Sequence, residues 1–404
     1  MLVTKASVSS FLIALLILIL GIYINRFNLK VAEITERYKC PACFGDSMCQ
    51  VIDSNEISFE YTDFYSIFNN LFSVKNVYYG KYKDKKVIMK KLAQESELKT
   101  FDEMICSDDE LHELCYQSES RKQDSKKNFY KLVESELANV GGDINNKMRL
   151  CPTTTKLEKL FVNVKFQSHA ENKDYFKYLW STIKINPEPL ILQILPAKEG
   201  WPTPKYFGAC GRLIVEEYIG LPLSSFIDEP WIRRAKIASS LLQAADTLMS
   251  KNSEFAFYLT DISMDNIAVN NEDKAIFVDL ENIIIVEKNP PEKALVGIES
   301  WNETYTNAVD LDCQDCFVFS PNDICSHKVS DHNFYAICQH ILTQALGTVF
   351  HNPGFLHDPP DYILQKHPTL IDLLEQCAKP DIGYSRIDIA HHLIVLLDSV
   401  IENA

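Results

Sequence analysis

The sequence predicts an α+β fold, and three observations carry that prediction. Two pairs of short β-branched and aromatic runs flank polar turn clusters, at 77–92 and 267–278, which is the pattern of β-hairpins. Between them Ile232, Ala235, Ala238, Leu241, Leu242, Ala245 and Leu248 recur at helical spacing within Trp231–Met249, as in a long core helix. Twelve cysteines in a 404-residue chain point to a disulfide-rich body. A composition 46% hydrophobic and 11% aromatic supplies a sizeable core. The net charge of −15 excludes non-specific binding to nucleic acid or to an anionic membrane surface. No phosphate-loop Gly-x-x-x-x-Gly-Lys, His-Glu-x-x-His or Gly-x-Ser-x-Gly occurs.

Taken in order, the chain opens on an apolar run. Val8 to Ile24 is just long enough to span a bilayer. Arg26 and Lys30 follow it with no small-x-small cleavage site, so an uncleaved signal-anchor is expected over residues 1–30 in preference to a cleaved signal. Charge does not settle its orientation, because Lys5 and the terminal amine nearly balance Arg26 and Lys30. The cysteines decide it better. All twelve lie beyond the apolar run, and with the sequon Asn302-Glu303-Thr304 they place the body in an oxidising lumen. The expectation is therefore a type II protein of the secretory pathway, attached to the membrane through its N-terminal segment.

Residues 31–71 form a luminal stem and a cysteine-rich segment with Cys40-Pro41-Ala42-Cys43 and Cys49. Such a Cys-x-x-Cys admits a thioredoxin-like redox pair, a zinc knuckle or disulfide ends. A redox pair should follow a strand, zinc needs a fourth ligand, and neither is evident, so structural disulfides are expected.

Val77–Tyr82 and Val87–Leu92, joined by Lys-Asp-Lys-Lys, make the first hairpin. It carries Lys90 in an apolar strand, where a lysine ordinarily snorkels to solvent. Residues 93 to 200 are poorly legible. Phe129, Leu132, Val133, Leu137 and Val140 share one helical face with Glu136, and a carboxylate on an apolar stripe wants a partner, for which Lys90 is a candidate. Arg212–Ile227 is a buried strand, a turn at Gly220 and Pro222, and a helix start, and the long helix follows.

The second hairpin gathers the chemistry. Its strands, Ile267–Val269 and Ala275–Val278, return to their starting end, which brings Asn266 close to Asp279, and Asp261 lies in the loop just before. Two carboxylates and a carboxamide there suit Mg²⁺, with one carboxylate left as a base. The bland alternative is an acidic surface turn. Protein kinases use a catalytic-loop Asp, an Asn five residues on and a second Asp after the next hairpin, and Asp261, Asn266 and Asp279 fall at those intervals.

The order of parts from about Phe72 onward resembles a protein kinase. Lys90 matches the phosphate-binding lysine. Leu213–Leu223 resembles a hinge, which implies Glu216 and Tyr218 at the nucleotide. Asp331 resembles the helix-start Asp that braces the catalytic loop, and Leu373 to Leu397 with Arg386 resembles the final helices. A closer resemblance is to the divergent protein kinase domain family, in its Deleted-in-Autism protein 1 branch. It is carried by Lys39–Gly45, Asn186–Leu190, Gly200–Arg212, Phe255–Val269 and Leu356–Pro360. The resemblance implies a bilobal kinase-like fold, with residues 72–217 as an N-lobe bearing a large insertion and 218–404 as a C-lobe. It also implies Golgi residence, secretion, or both.

The resemblance further implies ATP and Mg²⁺ as cofactors. Lys90, paired with Glu136, would hold the phosphates, Asn266 and Asp279 the metal, and Asp261 would serve as base toward a luminal or cell-surface acceptor. Departures favour a pseudokinase as the alternative. The phosphate-loop glycines fall at Asn70, Phe72 and Lys75. Leu259-Thr260-Asp261 replaces His-Arg-Asp, and Asp279-Leu280-Glu281 replaces Asp-Phe-Gly. Without the catalytic-loop Arg, an activation-loop phosphate loses its usual partner. Cys313, Cys316 and Cys325 occupy the activation segment, where disulfides would hold it rigid.

Overall fold

The computed structural model describes residues 30–61, 67, 76–107, 123–138, 147–166, 175–307, 318–343 and 354–403. The apolar run Val8–Ile24 and the phosphate-loop positions Asn70, Phe72 and Lys75 lie outside them. Among the described residues no helix is long and apolar enough to cross a membrane. Mixed sheet and helix fall into two compact units. One comprises 1–119, 165–185 and 206–218, the other 120–164, 186–205 and 219–404.

The strands are β1 (Ile57–Phe59), β2 (Val77–Tyr82), β3 (Lys85–Lys91), β4 (Met148–Cys151), β5 (Tyr206–Cys210), β6 (Leu213–Glu217), β7 (Leu221–Pro222), β8 (Phe255–Leu259), β9 (Ile267–Val269), β10 (Ala275–Phe277) and β11 (Ile283–Glu287). The helices that position the site are α1 (Glu95–Ser107), α2 (Gln123–Leu137), α3 (Trp231–Ser250), α4 (Pro321–Cys325), α5 (His332–Ile337), α6 (Leu370–Ala378) and α7 (Arg386–Glu402).

The first unit is built on a five-stranded sheet in the order β1-β2-β3-β6-β5. Its first hairpin is tighter than the sequence suggests. Tyr82 pairs with Lys85, which leaves only Lys83 and Asp84 in the turn, both at positive φ (48° and 62°). Two such residues give the twist of a primed turn, which matches that of the strands. Tyr78, Val87, Met89, Leu213 and Val215 form the core face with Ile34, Ile52 and Ile57.

In the second unit α3 buries the predicted apolar stripe except the half-buried Ile232, and it packs against α7 and β8. β8 and β11 are buried along their whole lengths, with β11 antiparallel to β8 and parallel to β4. Strands covered on both faces read as continuous apolar runs, so period-2 alternation is absent. This pairing draws β4 into the second unit. Residues 120–164 and 186–205, placed by sequence in an N-lobe of 72–217, therefore belong with 219–404. The second hairpin forms as β9 and β10. Its turn is closed by Asn270 Oδ1, which accepts from the amides of Glu272 (2.9 Å) and Lys274 (3.0 Å).

Disulfides join Cys40–Cys43, Cys49–Cys210, Cys151–Cys325 and Cys338–Cys377, and no described cysteine is free. Cys115, Cys313 and Cys316 lie outside the described residues. Cys325 ties α4 to β4, so its partner is distant in sequence.

Candidate functional site

The strand that leads into the Asp261 loop is held by side chains from α5. Asn333 bridges two backbone positions, its Oδ1 accepting from Leu259 N (3.0 Å) and its Nδ2 donating to Phe257 O (2.9 Å). His332 Nε2 donates to Leu259 O at 3.0 Å, which fixes the tautomer because a carbonyl only accepts. Burial pulls the His332 pKa down to about 4, so the ring is neutral near pH 7. Thr260 N donates to Asn282 O (3.0 Å), securing the other side of the strand.

The Asp-brace expectation is corrected here. Asp331 is buried, and its Oδ1 accepts from Asn307 N (3.0 Å) and Asn307 Nδ2 (2.9 Å). Its Oδ2 forms an ion pair with Arg386. Arg386 also donates to Cys377 O and Asn307 O and lies over the Tyr335 ring. Asp331 thus locks α7 to the residues ahead of α5, and bracing of the strand before Asp261 falls to His332 and Asn333.

Beyond the strand, Asp261 is exposed and Asn266 closes a 3₁₀ turn, Met264–Asn266. Asn266 Nδ2 donates to the Asp261 carbonyl at 3.1 Å, and Val278 N donates to Asn266 O at 3.0 Å. The hairpin therefore sets Asn266 beside Asp279 and ties the Asp261 backbone to them. Among the described residues neither Asn266 Oδ1 nor the Asp279 carboxylate has a hydrogen-bond or ion-pair partner. Asp279 is half-buried, the next residue Leu280 is fully buried, and Glu281 is taken up by Lys147 (2.8 Å) and Asn186 Nδ2 (2.5 Å).

Mg²⁺ fits such a set. It prefers oxygen ligands and keeps several waters, so one carboxylate and one carboxamide with free oxygens are sufficient protein donors. No group of three or more His, Cys, Asp or Glu able to hold a metal occurs among the described residues, so the carboxamide is essential to the set.

In the first unit Lys90 sits on β3 opposite Ile214, and Glu216 lies two residues further along β6 on the same face. Their side chains form an ion pair at 2.7 Å, with exposures of 16% and 2%. Lys90 is thus ion-paired with Glu216, a residue expected at the nucleotide hinge, and Glu136 lies half-buried on α2. Tyr218 packs edge-on to Tyr79, with Lys86 Nζ over both rings at 4.5 and 4.9 Å. The sequence reading missed the Lys90–Glu216 pair, although diagonal neighbours on paired strands are its signal. It also missed the Lys147–Glu281–Asn186 tether, which joins segments remote in sequence and leaves no local pattern.

Residues 179–380 match a family model described as the protein-kinase domain of FAM69. Divergent protein kinase domain 2A of Xenopus tropicalis is 33% identical, with 92% of this chain and 90% of the relative covered. The Homo sapiens protein of that name matches equally at 33%. Divergent protein kinase domain 2B of Bos taurus is 24% identical over 78% of this chain and 74% of its own length.

Proposed function

The chain belongs to the divergent protein kinase domain family, and from that premise we propose that it transfers phosphate from ATP to a hydroxyl of a luminal or secreted protein in the secretory pathway. The observation that carries this reading is the adjacency of Asn266 and Asp279, both with oxygens free of partners among the described residues. Bound MgATP supplies the transferable phosphoryl group, with the metal neutralising its charge. Asn266 and Asp279 hold the metal. Within the first unit, the Lys90–Glu216 ion pair supports the phosphate role that the resemblance gives Lys90. Asp261 is exposed and accepts the proton of the acceptor hydroxyl, and His332 and Asn333 keep its strand in place. The described disulfides and the exposed sequon residue Asn302 support an oxidising compartment, and the apolar run Val8–Ile24 supports membrane attachment there. The test is labelled-phosphate transfer by the purified protein against Asp279→Ala. Equal transfer by the two would sink the assignment.

A second reading, a pseudokinase that acts as a binding module or secreted signal, is favoured by one observation. Glu281 stands where kinases carry the flexible glycine of Asp-Phe-Gly, and Lys147 and Asn186 fasten it. A metal loop held in this way suits occupancy without turnover. Binding of MgATP with no transfer to any acceptor pool would select this reading.

A further inference from the structure

The Cys40-Pro41-Ala42-Cys43 loop is held in shape by bonds that do not involve its sulfurs. Arg212, fully buried, donates from Nη2 to Lys39 O (2.8 Å) and from Nε to Ala42 O (3.2 Å), the carbonyls that precede each cysteine. Asp102 accepts from Ala42 N (2.7 Å) and pairs with Arg212 Nη2 (2.6 Å). Downstream, Phe44 N donates to Gly211 O (2.8 Å) and Asp46 N to Phe166 O (2.9 Å). Opening the disulfide therefore leaves the loop clasped around the Arg212–Asp102 pair.

A cross-link between residues three apart removes little chain entropy, whereas Cys49–Cys210 closes a separation of 161. The short bridge thus contributes least to holding the fold. Its two ends are also unequal. Cys40 is partly exposed and Cys43 is fully buried. An accessible sulfur beside a buried one provides a point of attack and a leaving group.

We propose that Cys40 and Cys43 form a redox-active site that exchanges with thiols, with Cys40 the sulfur attacked and Cys43 the sulfur that leaves. A substrate thiolate bonds to Cys40 Sγ, the Cys40–Cys43 bond breaks, and its electron pair goes to Cys43. Cys43 is then protonated from solvent. A second thiolate of the same substrate attacks the mixed disulfide and expels Cys40. The substrate dithiol is oxidised by two electrons and the loop reduced, and a small-molecule disulfide such as oxidised glutathione restores it. The site stands whether or not phosphate is transferred, since it uses none of the same residues.

The test is native-state thiol trapping on the full chain in graded glutathione buffers, read by alkylation and peptide mass. Cys40 and Cys43 are expected to equilibrate with the buffer while Cys49–Cys210, Cys151–Cys325 and Cys338–Cys377 stay closed and the circular dichroism is unchanged. Labelling of Cys40 and Cys43 only together with those three, under denaturant, overturns the proposal. A dithiol peptide in place of glutathione distinguishes the substrate. The peptide is released oxidised if dithiols are served, whereas with glutathione Cys43→Ser accumulates the mixed disulfide at Cys40. Absence of that adduct also overturns it.

Discussion

Val278 donates its amide to the carbonyl of Asn266 at 3.0 Å, and through that bond the end of β10 carries Asp279 to the side of Asn266. The proximity is a property of the hairpin backbone, and neither side chain is spent in making it. The consequence is a separation between stability and ligand binding that mutants can expose.

Asp279→Ala and Asn266→Ala should leave the fold nearly intact, because neither side chain loses a buried partner. Surface changes of that kind cost within about 0.5 kcal/mol. MgATP at a hundred times its dissociation constant should stabilise the wild type by about 2.7 kcal/mol. Both variants should lose that gain in a thermal-shift measurement. Retention of the full shift by Asp279→Ala would remove the metal assignment.

The Lys90–Glu216 pair should behave in the opposite way. Glu216 is almost wholly enclosed, so Lys90→Ala takes from a buried carboxylate the cation that faces it. Breaking one side of a buried pair costs about 3–5 kcal/mol, while replacing both partners by apolar groups is often neutral. Urea unfolding should therefore show Lys90→Met destabilised and the double variant Lys90→Met/Glu216→Leu restored to near the wild-type midpoint. A double variant no better than the single one would mean that the pair is not the source of the cost.

These two sites show what was legible in the sequence. The hairpin ends at Asn266 and Asp279 follow from turn chemistry and a spacing of a few residues, both local. Lys90 stands out by its strand, and the partner that the sequence offers for it, Glu136 on the α2 stripe, comes from periodicity, which reports a face and not what lies opposite. Glu216 required the β3/β6 register, which no single strand encodes. Asp331 stands out by position, yet its bonds to Asn307 and Arg386 arise from a tertiary arrangement of segments 24 and 55 residues away. β8 and β11 escaped because strands buried on both faces lack alternation.

Acid should loosen, through His332, the brace on the strand that leads to Asp261. Its pKa is depressed to about 4, first by burial, then by the Arg386 charge, and against the bond to Leu259 O. A depressed histidine contributes stability that is present above its unfolded pKa near 6.5 and lost as pH falls toward 4. The gap corresponds to about 3 kcal/mol. Denaturant midpoints measured from pH 7 to pH 4 should fall across that window. His332→Gln, which keeps an N–H donor for Leu259 O and cannot titrate, should flatten the profile. An equally steep fall in His332→Gln would assign the acid sensitivity elsewhere.

Gly220 tests how tightly β9 is seated. A Cβ there would lie 1.9 Å from Val269 O and 3.0 Å from its carbonyl carbon, so backbone must move to admit it. Leu221 pairs with Val269, and β9 begins immediately after Asn266, so the displacement propagates to the metal hairpin. Overpacking of this kind costs about 1–3 kcal/mol. Gly297 is the control. It has φ +86° and nothing within 4 Å of a built Cβ, so Gly297→Ala meets only backbone strain, about 1 kcal/mol. Gly220→Ala should lower the melting temperature and the MgATP shift together, while Gly297→Ala lowers the melting temperature alone. A Gly220→Ala protein with an undiminished MgATP shift would show that the β7–β9 contact does not position Asn266.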